Sequence, residues 1–243
     1  THSAFFTPRR EPWSFDDATL AVAKDFLHLR YRLMPYWYTL AWQASRTGAP
    51  LVRPMWWDRP GDSMLLGADD QFLAGDAFLV APILDEEGGL RNLVLPPGRW
   101  YSMWQEGVFV DGPAIGQVEP VPGKIPVLVR AGSVVPMDEG GRFVLHAWAP
   151  AGGDGGGLLY DDAGDGAGPW RLERFRFVAQ GGTLVLTRTF EGDYPLRAGS
   201  FDVQLHGARA GRVTVDGREV AIERERFQAG DFREVRFEGL GKI

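Results

Sequence analysis

The sequence predicts a mainly β protein: one long N-terminal helix followed by two β-sandwich domains. Three observations carry this. Apolar residues recur at helical spacing only before residue 48. After it, short apolar runs alternate with turn residues. Among the 243 residues, 32 are glycine, 17 proline and nine tryptophan, a composition of many turns and many aromatic anchors.

The helix begins near Ser14, with Asp17 three residues on as a capping-box-like pair and Asp16 and Asp17 suited to the positive end of the dipole. Leu20, Ala23, Leu27, Tyr31, Met34, Tyr38 and Ala41 follow at steps of three and four and define an apolar face. Pro35 lies inside the pattern, denies the Tyr31 carbonyl its donor and predicts a kink. Gly48 is the expected stop, with Pro50 just beyond.

Strands are expected at 51–57, 78–84, 92–95, 127–129, 133–135 and 143–146. A glycine-rich stretch, Gly152 to Gly157, precedes a second β-rich part with strands at 175–178, 183–189, 201–206, 212–215 and 234–237. Asp216-Gly217 is a hairpin signal. The expected division is 1–49 for the helical part, 50–137 for a proximal sandwich and 138–243 for a distal one.

Composition excludes several functions. No cysteine is present, so there is no disulfide or thiolate metal site. The net charge of −6 argues against a nucleic-acid partner. No run of 18 apolar residues would span a membrane. No signal-peptide pattern is visible at the start, and with the missing cysteines this favours a cytoplasmic setting. No cofactor motif appears: there is no phosphate-cradling glycine loop, serine elbow or His/Cys cluster.

A series of segments is specific in order and spacing. Thr1-His2-Ser3 and Arg10-Glu11-Pro12-Trp13 are followed by Leu29-Arg30-Tyr31-Arg32-Leu33-Met34-Pro35-Tyr36 and Arg53-Pro54-Met55. Next come Asp70-Gln71-Phe72-Leu73-Ala74-Gly75, Leu79-Val80-Ala81-Pro82, Leu95 to Tyr101, and Ile125 to Gly132. Together they resemble the C-terminal portion of family 31 glycoside hydrolases, which include α-glucosidases and α-xylosidases. Leu159-Tyr160-Asp161-Asp162 is similar to a further family segment, with one acid fewer and Ala163 before Gly164.

The resemblance implies that residues 1–49 are the end of a catalytic (β/α)8 barrel and that the sandwiches support it. It implies retaining hydrolysis of α-linked glucosides or related sugars by two aspartates about 5–5.5 Å apart. Those aspartates resemble nothing here, since the family places them on earlier barrel strands. The chain alone is therefore expected to be inactive, with the barrel part as its partner and carbohydrate bound only when the barrel is present. Self-association through the uncovered helix face is a further expectation. The alternative reading is a stand-alone β-sandwich module that binds carbohydrate or protein.

His2 matches the family's substrate-contacting histidine, whose imidazole can hydrogen-bond a sugar hydroxyl. The other candidates have plainer readings. Arg30 and Arg32 read as ion pairs tying helix to sandwich. Trp56, Trp57, Trp100, Tyr101 and Trp104 read as packing anchors, with Trp56 and Trp57 on opposite faces of a strand. Asp69 and Asp70 read as turn-capping acids. Asp161, Asp162 and Asp165 offer hard oxygen ligands that could hold Ca²⁺ or serve a self-contained hydrolase, but the spacing lacks an EF-hand glutamate and an ordinary turn is expected, with no metal. His28, His146 and His206 are scattered and read as structural.

Overall fold

The structure, a computed structural model, describes residues 7–84, 89–164 and 167–241. A 3-10 turn at Pro12–Ser14 leads into α1 (Asp17–Arg32) and α2 (Met34–Thr47). The helix cap is Asp16, whose carboxylate accepts the Thr19 N–H at 2.6 Å; Ser14 lies in the preceding turn and caps nothing in α1. The expected single kinked helix is two helices. The break falls at Leu33, leaving Pro35 in the first turn of α2, where its missing N–H costs nothing. Gly48 closes α2 in the left-handed region at φ 74°.

The first sheet holds β1 (Val52–Arg53), β2 (Phe72–Ala74), β3 (Phe78–Val80), β4 (Arg91–Ser102), β5 (Phe109–Val118) and β6 (Val127–Arg130) in the order β1-β2-β3-β6-β4-β5. A short helix, α3 (Ser63–Leu66), lies between β1 and β2. Register shifts between Leu95 and Gly98, where Pro96 and Pro97 interrupt the ladder. The first half of β4 then pairs only with β5, and its Leu93 and Leu95 close over Leu73, Leu79 and Leu128 to form the proximal core.

The distal part stacks two sheets. One takes β7 (Val134–Asp138), β8 (Phe143–Trp148), β12 (Phe201–His206) and β15 (Arg226–Gly230) in the order β15-β12-β8-β7. The other takes β9 (Asp154–Asp162), β10 (Trp170–Gln180), β11 (Thr183–Gly192), β13 (Arg212–Val215), β14 (Arg218–Val220) and β16 (Glu234–Glu238) in the order β14-β13-β16-β11-β10-β9. Phe143, Phe177, Phe201, Phe232 and Phe237 fill the space between them. The Asp216-Gly217 hairpin forms as expected, with φ of 48° and 78° joining β13 to β14.

A third core joins the parts. Leu33, Tyr36 and Leu40 pack on Phe78, Val127 and Val129 of the first sheet and on Val135, Met137 and Trp148 of the distal part. The Tyr36 hydroxyl donates to the Ala74 carbonyl at 2.9 Å and accepts the Ala77 N–H at 3.1 Å. Gly75 makes this possible: at φ 61°, a Cβ there would lie 2.3 Å from that hydroxyl. Thr39 accepts the Tyr160 N–H at 2.9 Å and so ties α2 to β9.

Residues 154–157 of the glycine-rich stretch expected as a separator instead open β9, and the glycines within the strand are there for contact. A Cβ on Gly157 would sit 1.9 Å from the Val134 carbonyl, and one on Gly155 would sit 2.3 Å from the Gly132 carbonyl. Gly157→Ala is expected to force β9 off β7 and cost about 1–3 kcal/mol. A urea midpoint unchanged from the parent would refute this.

Candidate functional site

Two surfaces of the helical segment could serve function. The stripe expected from the sequence, Leu27, Tyr31, Met34 and Tyr38, faces outward and is exposed. The packing face is a different one, formed by Leu33, Tyr36 and Leu40. The outward stripe runs along both helices, whereas the packing face is carried by Leu33 at their junction and by α2. Beside the outward stripe runs an apolar groove of about 550 Å³ between the helices and the first sheet, lined by Phe26, Leu29, Trp37, Val52, Phe72 and Ile125 among others. Arg30 is the charged residue on its wall.

A second cleft, about 630 Å³, lies between the α1–α2 junction and the end of β9. Asp162 accepts from the Tyr38 hydroxyl at 2.7 Å and from the Gly164 N–H at 2.9 Å. That hydrogen bond to Asp162 and partial burial push the Tyr38 phenol up to about 12. Asp161 is buried, with Oδ1 held by Arg197 and by the Asp162 N–H, and Oδ2 has no partner among the described residues. Tyr160 stacks on Trp42 at 5.0 Å. No cluster of three metal-ligating side chains occurs among the described residues. Asp165 and His2 both lie outside the described residues.

Several other candidates make structural contacts. Arg32 bonds Glu139 and Met137 and so ties α1 to the distal part. Trp100 is fully buried and Tyr101 nearly so, while the Trp104 indole donates to the Ile125 carbonyl at 2.7 Å. Trp56 and Trp57 lie in a turn rather than on a strand, so the expected alternation does not apply; both are exposed, and the Arg53 guanidinium lies 5.7 Å from the Trp57 ring. Asp70 pairs with Arg91 at 2.8 Å.

His146 and His206 are not scattered in space. Parallel pairing of β8 with β12 sets them side by side, and their ring nitrogens meet at 2.9 Å. Their outer nitrogens face Glu139 at 3.2 Å and Glu106 at 2.9 Å. No local pattern in the sequence signals this group, since its members are brought together by strand pairing across 60 residues and by a loop 100 residues away.

Comparison with known proteins gives this geometry a context. Residues 48–135 match the C-terminal domain model of glycosyl hydrolase family 31, and residues 1–40 match that family's TIM-barrel domain. The chain belongs to glycoside hydrolase family 31. Among similar proteins, alpha-glucosidase 2 of Bacillus thermoamyloliquefaciens is 28% identical over 90% of this chain and 29% of its own length. Human neutral alpha-glucosidase AB is 35% identical over 76% of this chain and 21% of its own. In fold, the chain is similar to a family 31 dextranase of Flavobacterium johnsoniae, with a TM-score of 0.80 and 20% identity over 94% of this chain and 34% of that one. A family 31 alpha-xylosidase of Xanthomonas citri gives 0.68 at 25% identity, over 91% of this chain and 25% of that one. The chain thus spans less than a third of the curated relatives' length.

Proposed function

We propose that this chain is the C-terminal part of a retaining α-glycosidase acting on α-linked glucosides or related sugars. It supplies the end of the barrel and the sandwiches behind it, while the nucleophile and acid/base aspartates come from barrel strands outside this sequence. His2 reaches a sugar hydroxyl only in the presence of that barrel. One observation carries the reading: the segment that matches the family's barrel domain ends in α1 and α2, and these present the uncovered stripe Leu27, Tyr31, Met34 and Tyr38. These side chains are each about half exposed, so covering three of them is worth roughly 2–4 kcal/mol.

Hydrolysis of p-nitrophenyl α-D-glucoside tests it. The purified chain is expected to show no turnover above background. Turnover in the ordinary enzyme range, roughly 1–10³ s⁻¹, would overturn the assignment of the catalytic groups to the barrel. Supplying the barrel in cis is expected to bring activity, and His2→Ala is then expected to lower kcat/KM.

A further inference from the structure

Two histidines and two glutamates form a polar group between the two sandwiches. Glu106, in the turn between β4 and β5, belongs to the proximal part. Its Oε2 meets His206 Nδ1 at 2.9 Å and its Oε1 accepts the Gly207 N–H at 2.8 Å. His206 Nε2 meets His146 Nδ1 at 2.9 Å with the ring planes 13° apart, and His146 Nε2 meets Glu139 Oε1 at 3.2 Å. The Trp148 ring stacks on His206 at 4.5 Å and closes one side. Glu139 also takes Arg32 from α1 and Arg226 from β15, and Arg226 and Arg142 share Asp202 behind it.

Three contacts join four ring nitrogens to each other and to two carboxylates, and each needs one N–H. Two neutral imidazoles carry only two. Whichever tautomers they adopt, one nitrogen lone pair then faces a carboxylate or the other ring. One added proton gives three N–H groups and satisfies every contact. A second added proton would place N–H against N–H across the 2.9 Å gap between the rings.

We propose that His146 and His206 hold one proton in common between Glu106 and Glu139, and that a second proton opens this contact between the proximal and distal sandwiches. The surroundings agree. Burial and the neighbouring His206 pull His146 below the ordinary histidine value, although the Glu139 hydrogen bond opposes them. The hydrogen bond from His146, against burial and with help from Arg226 and Arg32, holds Glu139 well below the usual carboxylate range. Burial works against the Glu106 carboxylate, but the His206 and Gly207 hydrogen bonds keep it low as well. Arg32 and Arg226 face the Glu139 end and oppose further positive charge there.

The sign follows from linkage. Unfolded, both histidines are protonated below about pH 6.5. Folded, the pair keeps one proton while the unfolded chain holds two, so acidification favours unfolding. Below about pH 6 this pair should raise the unfolding constant by an extra factor of about ten per pH unit.

Two measurements decide the matter. Imidazole nitrogen NMR from pH 8 to 5 is expected to show both rings responding together to a single proton while the fold persists. Two independent titrations reaching a doubly protonated pair in the folded chain would overturn the proposal. Urea unfolding across the same range is expected to lose about one proton of pH dependence in His146→Gln; an unchanged slope would also overturn it. Glu106→Gln, at an exposed turn, provides a variant that keeps both rings. Its shared titration should move to lower pH, and an unmoved titration would count against the shared proton.

Discussion

Glu173→Ala is expected to destabilise the chain by about 3–5 kcal/mol, because it strands a charge inside the distal sandwich. Glu173 and Arg188 are both almost inaccessible, at 1% and 2% of side-chain exposure. Their pairing is bidentate, with Arg188 Nε on Glu173 Oε2 at 2.8 Å and Nη2 on Oε1 at 2.9 Å. Arg171 adds a bond to Glu173 at 2.6 Å, while Asp231 and the Phe232 carbonyl hold the third guanidinium nitrogen at 2.5 and 3.0 Å. Burial alone would lower the Arg188 pKa, but the carboxylates of Glu173 and Asp231 more than offset this and raise it. Without Glu173 only the exposed Asp231 remains as a counter-charge. For a chain of this size the loss corresponds to a fall in Tm of roughly 10 °C. The double variant Glu173→Leu/Arg188→Met, which removes both charges, should recover most of it. Calorimetry of the three proteins would settle the point, and a loss under about 1 kcal/mol in Glu173→Ala would reject it.

Whether the sequence shows an element depends on whether local chemistry alone determines it. Gly48 followed by Pro50 marks the end of α2, and the apolar runs of β6, β8, β12 and β16 stand out, because each feature is set by its own residues. β5 does not stand out: it is an edge strand with Gly112, Pro113 and Gly116, and its faces alternate between half-buried and exposed. β9 is hidden for another reason. Its glycines read as a linker, yet they are small because the backbone of Gly132, Phe175 and Val134 lies against Gly155, Gly156 and Gly157 in turn. On the helices, the period of three and four selects Leu27, Tyr31 and Met34, while the face that packs in this chain is Leu33, Tyr36 and Leu40. Periodicity shows that an apolar face exists but not which partner covers it. The Glu106–His206–His146–Glu139 series is wholly tertiary, and no spacing rule reaches it. Arg53, Gly75, Trp100 and Gly132 all lie in the segments that carry the family resemblance, and each answers a specific contact in this chain. Gly75 beneath Tyr36 is one such contact.

Trp100→Ala is expected to cost the proximal sandwich about 3–5 kcal/mol, the range for removing a fully buried large aromatic. Trp100 has no exposed surface and packs with Met55, Leu65, Leu79 and Leu95 where β4 closes over the sheet. Its indole N–H donates to the Pro96 carbonyl at 3.1 Å, across the irregularity that turns β4, and the Arg130 guanidinium lies 4.6 Å from its ring. The side chain therefore both fills the core and fastens the bend. Trp100→Phe separates these roles: it keeps most of the apolar volume and loses the hydrogen bond. That variant should lose about 1–2 kcal/mol, combining a small cavity with an unpaired Pro96 carbonyl. If both variants unfold at the parent's urea midpoint, the bend is held by the Pro96-Pro97 backbone alone. If Trp100→Phe loses as much as Trp100→Ala, the hydrogen bond outweighs the packing. The expected order, parent above Phe above Ala, would show that the proximal sheet folds over itself because a single tryptophan both fills the space and binds the turn.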